Sequence, residues 1–157
     1  MSSRFVPALA ILTAMIATAL LIYLTPLKHV ALVPPSMNEI DPAQLYSELS
    51  KHPDDYIFVD VRSPTIYQSA HAKGAINIPI ENLYDDHNAL PRSGKKIALI
   101  CTTGRLAAIA YGYLENQGFT NLVHVEGGMV NWTTEKLPVE GTNVKNAAKF
   151  SAPDEHQ

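Results

Sequence analysis

The residue best equipped for chemistry in this 157-residue chain is its one cysteine, Cys101. It ends the apolar run Ile97-Ala98-Leu99-Ile100 and opens the small polar turn Thr102-Thr103-Gly104. Arg105-Leu106-Ala107 then begins an alanine-rich stretch with helical character. A thiol between a strand end and a helix start faces unpaired backbone N–H groups and the positive end of the helix dipole. Both favour the anionic form of sulfur, which is the nucleophile. The competing reading is a buried structural thiol, because free cysteine is among the most buried residue types.

Other chemistry is sparse. A lone cysteine excludes an internal disulfide framework and a cysteine-rich zinc site. His29, His52, His71, His87, His124 and His156 show no metal-ligand spacing, and each reads as a surface or loop residue. No metal and no cofactor is expected. The formal net charge is −3, with Lys and Arg dispersed rather than striped, so nucleic acid is not an expected partner.

The elements that must position Cys101 can be read in order. Asp41 is placed to cap a helix, Pro42 suits its first position, and Leu45 and Leu49 share a face. His52-Pro53 ends it. Tyr56 to Val61 is a continuous apolar run, the pattern of a strand buried on both faces. Ser63-Pro64 starts a short helix reaching about Ser69. Ala75 to Ile78 is a short strand stopped by Pro79, and Glu81 to Asp86 a helical turn. The strand Lys96 to Ile100 delivers Cys101, and a helix runs from about Arg105 to Gln117, closed by Gly118. Leu122 to Val125 is another buried strand. Gly127-Gly128 permits a tight, close-packed turn into a helix over Met129 to Lys136. Alternating strands and helices predict an α/β domain around a mostly parallel five-stranded sheet, with ligands bound beyond the carboxyl ends of the strands. Cys101 stands at such an end.

Outside this domain, assigned to residues 38–138, the chain changes character. Residues 1–4 are a short basic end, and residues 5–27 carry no charge. That length matches an apolar helix crossing about 30 Å of hydrocarbon. A cleaved secretory signal has a shorter apolar core and a small-x-small site, and Tyr23-Leu24-Thr25-Pro26-Leu27 offers none, so an uncleaved transmembrane anchor is preferred. The positive-inside rule gives a slight preference for an N-terminus in the cytoplasm and a domain outside, facing a bacterial periplasm. Secretion after signal cleavage is the alternative. Residues 28–37 form a stiff linker through Pro34-Pro35. Residues 139–157 read as a polar, disordered tail.

Three separated stretches give this domain its likeness. They are Val59-Asp60-Val61-Arg62-Ser63-Pro64 with Tyr67, His71 and Gly74-Ala75-Ile76-Asn77-Ile78-Pro79; Cys101-Thr102-Thr103-Gly104-Arg105; and Val125-Glu126-Gly127-Gly128-Met129-Val130-Asn131-Trp132. In this order and spacing the chain resembles the rhodanese family, and in particular the small single-domain thiosulfate sulfurtransferases of bacterial envelopes. It departs from the family pattern at Ala70-His71-Ala72, where a bulky apolar contact is missing. It departs again in its arginine, which directly follows Gly104.

The resemblance implies a two-step sulfur transfer. Cys101 would attack the outer sulfur of thiosulfate, sulfite would leave, and a thiol or cyanide would take the sulfur from the Cys101 persulfide. The N–H groups of Thr102, Thr103, Gly104, Arg105 and Leu106 would surround the sulfur. Arg105 would bind the sulfonate oxygens with its fork of donors. Asp60 and Arg62 are expected to hold loops together, Glu126 and Gly127 to tie down the last turn, His71 to pack, and Trp132 to lie in the core. A persulfide carrier or a protein-interaction module is the alternative function. A phosphatase or arsenate reductase fits poorly, because its phosphate loop needs C-x5-R and that position is Ala107.

Overall fold

The computed structural model describes residues 11–18, 20 and 37–144. The chain divides into two units, Met1–Ser36 and Met37–Gln157. In the first, residues 11–18 are helical and exposed, with the Thr18 hydroxyl donating to Ala14 O at 2.8 Å. Most of the expected membrane span, 5–27, lies outside the described residues. Among the described residues no helix is long and apolar enough to cross a membrane.

The second unit is the α/β domain. Its strands are β1 (Glu39–Ile40), β2 (Tyr56–Asp60), β3 (His71–Ala72), β4 (Ile76–Asn77), β5 (Lys96–Ile100), β6 (Leu122–Val125) and β7 (Val139–Glu140). Its α-helices are α1 (Pro42–Lys51), α2 (Pro64–Ser69), α3 (Ile80–Asp86), α4 (Arg105–Asn116) and α5 (Gly128–Thr134). The main sheet has the order β1-β6-β5-β2-β4, and every pairing in it is parallel. β5 is therefore the middle strand, and the residue after it, Cys101, stands at the centre of the sheet's carboxyl edge.

Local chemistry explains the elements. Asp41 accepts the Gln44 N–H at 3.1 Å and Pro42 occupies the first turn of α1, as their residue types predict. β2 and β5 are buried on both faces, and alternation divides their side chains between two cores. Val59, Ile97 and Leu99 pack with Leu83 of α3 and with Ala107, Ala110 and Leu114 of α4. Tyr56, Phe58, Ala98 and Ile100 pack on the other face with Leu45 of α1 and with Met129 and Trp132 of α5. Trp132 is fully buried, as expected, and its indole N–H donates to Pro138 O at 3.0 Å.

One expectation is corrected, and one strand went unread. The domain does not stop at residue 138: β7 pairs antiparallel with β3, and the Thr142 and Asn143 N–H groups donate to Gln68 O and Ser69 O. β7 is only two residues long, too short for an alternating pattern to mark it in the sequence. The rest of the predicted tail, 145–157, lies outside the described residues. β1 was also invisible in the sequence: two residues are too short for a period, and β1 exists only because β6 pairs with it.

Candidate functional site

β5 carries Cys101 to the sheet edge with its side chain on the α4 face, the same face as Ile97 and Leu99. The chain then turns through Thr102 and Thr103 to Gly104. Gly104 has φ +88° and precedes the first residue of α4. A glycine cap has no side chain to accept an N–H of the first turn, and the cysteine sulfur takes that place: Ala107 N–H donates to Cys101 Sγ at 3.4 Å. Sγ thus lies at the positive end of a twelve-residue helix.

This corrects the expected arrangement in two respects. The amide that reaches sulfur is that of Ala107, one residue beyond the predicted Thr102–Leu106 stretch, because the third residue of a helix is the one whose N–H points back past the cap. Cys101 is also more enclosed than expected, at 1% exposure, with Val61 and Ala107 in the same apolar cluster. Its opening is a cavity of about 290 Å3 lined by Cys101, Thr102, Thr103, Arg105, Leu106 and Ile109.

Of the predicted binding residues, Gly104 is buried, Thr102 half-buried, and Thr103, Arg105 and Leu106 are exposed. Arg105 has no carboxylate partner within 4.0 Å among the described residues, which leaves its guanidinium available to an anion. Ile109, one helical turn beyond Leu106, was missed, although the i, i+3 spacing would have placed both at one mouth.

The loop is held from behind by α5. Met129 N–H donates to Cys101 O at 2.8 Å, and Val130 N–H to Thr102 O at 3.0 Å. This approach needs glycine at 128, which has φ +60°; a Cβ there would overlap Cys101 O and lie 2.8 Å from Gly104 N. Gly127, at φ +64°, makes the preceding turn. Glu126 contributes less than expected: its side chain is exposed, and it ties the turn through its backbone N–H, which donates to Ile40 O at 3.1 Å.

Asp60 and Arg62 are brought together as a structural pair. Arg62 Nε donates to Asp60 Oδ1 at 2.9 Å, and Nη2 donates to Asp60 Oδ2 at 2.6 Å and to Ala70 O at 2.8 Å. Both are buried, and Arg62 Nη1 has no hydrogen-bond partner among the described residues. His71 packs, stacking on Tyr67 at 3.8 Å between ring centroids.

His124 departs from its predicted surface or loop placement. It lies on β6 at 5% exposure, with Nε2 2.9 Å from Gly104 O. The signal was present, since His124 stands two residues after buried Leu122 on a strand buried on both faces. Among the described residues no group of three His, Cys, Asp or Glu side chains is placed to hold a metal ion.

Known proteins of differing activities share this domain. The family model described as Rhodanese-like domain matches residues 41–135. A sulfurtransferase of Allochromatium vinosum is 25% identical over 103 residues, covering 66% of this chain and 94% of that one. A tRNA uridine(34) hydroxylase of Hamiltonella defensa is 35% identical over 94 residues, covering 55% of this chain but only 25% of that protein. The crystal structure of a rhodanese-related protein from Thermoplasma volcanium superposes with a TM-score of 0.58 at 36% identity, covering 66% of this chain and 97% of that one.

Proposed function

The chain belongs to the rhodanese-like family, and on that premise we propose that it is a sulfurtransferase working through a persulfide on Cys101. The observation that carries this reading is the sulfur's placement. Sγ accepts an N–H from the first turn of α4 at the floor of a cavity whose mouth holds the cation Arg105.

The steps are those the family resemblance implies, and this geometry supports them. The Cys101 thiolate attacks the outer sulfur of thiosulfate; a sulfur–sulfur bond forms to the protein, and the bond within thiosulfate breaks. Sulfite leaves with that electron pair. Arg105 holds the sulfonate oxygens through charge-assisted hydrogen bonds. The helix end and the Ala107 N–H stabilise negative charge on the sulfur before attack and on the persulfide after it. An acceptor, cyanide or a thiol, then attacks the outer sulfur and returns the Cys101 thiolate. Asp60 is engaged with Arg62 rather than with the thiol, so this reading gives it no general-base role.

The proposal extends to the chain as a whole. Residues 5–27 anchor the protein in a bacterial inner membrane with the domain on the periplasmic side. Retention in the pellet after alkaline carbonate extraction is the expected result, and release would show a cleaved or peripheral protein instead.

The activity is tested with the purified chain, thiosulfate and cyanide. Thiocyanate should form with ping-pong kinetics, and Cys101→Ser should abolish it. Mass spectrometry after thiosulfate alone should show one added sulfur on Cys101. If thiosulfate gives neither product nor adduct while a protein persulfide loads Cys101, the domain is a carrier.

A further inference from the structure

Beyond the Asp60–Arg62 pair, the buried polar side chain among the described residues that this chemistry leaves unused is His124. It stands on β6 opposite Leu99 of β5 and Glu39 of β1. Alternation from Leu122 turns its ring to the α4 face, where Cys101 also points. Nε2 lies 2.9 Å from Gly104 O, and Nδ1 lies 3.2 Å from Glu39 Oε1. The ring sits so close beneath Gly104 that a Cβ there would fall 3.1 Å from Cε1.

Both partners of the ring are acceptors. A carbonyl oxygen cannot donate, so the bond at Nε2 requires a proton on Nε2. We propose that His124 is the positioning residue of the Cys101 loop: its Nε2–H holds the Gly104 carbonyl and so fixes the cap that aims the first-turn N–H groups of α4 at the sulfur. The inference rests on Cys101 being the reacting group. Gly104 O also accepts Ala108 N–H at 2.8 Å, so two donors converge on one oxygen and its peptide plane is fixed from the helix and from the sheet. Without the histidine bond, only the helix side remains, and the αL cap can rotate. When Nδ1 also carries a proton it donates to Glu39 Oε1, which links the ring to β1, the first strand of the domain.

The test uses the full chain and three variants. A glutamine amide nitrogen falls where Nε2 sits, and an asparagine amide falls where Nδ1 sits. His124→Gln therefore keeps the donor to Gly104 O, whereas His124→Asn and His124→Leu lose it. Long-range 15N spectra, with the His124 ring assigned by its loss in His124→Gln, should show the proton on Nε2; a bare Nε2 overturns the proposal. The backbone amide signals of Arg105 to Ala108 should keep their positions in His124→Gln and move in His124→Asn. These two readouts need no sulfur donor, so they decide the proposal even if thiosulfate transfer fails. Where transfer is measured, kcat/KM should fall about tenfold in His124→Asn and His124→Leu, the worth of one hydrogen bond, and recover in His124→Gln. Equal rates in wild type and His124→Asn, or a His124→Gln as slow as His124→Leu, would refute it. A His124→Leu that does not fold leaves the Asn and Gln pair to decide.

Discussion

Replacing Gly128 with alanine tests how closely α5 supports the sulfur loop. Two penalties apply. The backbone at 128 has φ +60°, a left-handed conformation that costs a residue with a Cβ about 1–2 kcal/mol. The new methyl also has no room: it would overlap Cys101 O and lie 2.8 Å from Gly104 N and 3.0 Å from Thr102 C, all backbone atoms that cannot swing aside. Overpacking of this kind costs about 1–3 kcal/mol more, for a total of roughly 2–5 kcal/mol. Gly74 supplies the control. Its φ is +86° and nothing lies within 4 Å of the place a methyl would occupy, so Gly74→Ala should carry the backbone penalty alone, about 1–2 kcal/mol. Urea denaturation of both variants gives the difference, which is the steric part. Relief of the overlap requires the Cys101 loop to retreat from α5 by about half an ångström or more. Displacements approaching 1 Å at a reacting group cost on the order of 100-fold in rate. Thiocyanate formation should therefore drop by roughly 10- to 100-fold in Gly128→Ala and stay near wild type in Gly74→Ala. Equal destabilisation of the two variants, or full sulfur transfer by Gly128→Ala, would refute the claim that this contact sets the loop.

Arg105→Ala should raise the thiosulfate KM by about tenfold or more, the worth of a charge-assisted hydrogen bond, and an unchanged KM would remove Arg105 from substrate binding. Arg62→Ala strands the fully buried Asp60 carboxylate and should cost about 3–5 kcal/mol in urea denaturation; a loss below about 1 kcal/mol would show that the pair holds nothing together. Tyr67 is held above its ordinary value of 10.0, chiefly by burial and then by the charges of Asp60 and Glu140. The folded state thus keeps the phenolic proton longer than the unfolded chain does. The resulting stability is fully present below pH 10.0 and is lost as pH rises through the folded value. Tyr67→Phe should flatten the alkaline fall in denaturation midpoint, and an unaltered alkaline limb would count against this account.

Local patterns carried the middle of this domain and the position of its candidate nucleophile. β5 and β6 run over the residues their apolar runs predict, because strands buried on both faces read as unbroken hydrophobic segments. The start of α1 was legible because Asp41 and Pro42 act within four residues of themselves. Cys101 and Arg105 stood out as candidates because their chemistry is a property of residue type, and the strand-to-helix junction that the structure places around them is a local feature. Three things were decided only by folding. β1, β3 and β7 are two-residue strands with no pattern of their own, and each exists because a distant partner offers it a free edge. The donor to the sulfur is Ala107 N–H rather than the earlier loop amides, which depends on the left-handed backbone at Gly104 and the direction in which α4 leaves it. His124 lies twenty residues from Gly104 in sequence, and it becomes the loop's support because β6 lies beside β5 in the sheet and turns that ring toward α4. Sequence determines what each group can do, whereas the meeting of groups far apart in the chain depends on which strands pair, and in which register.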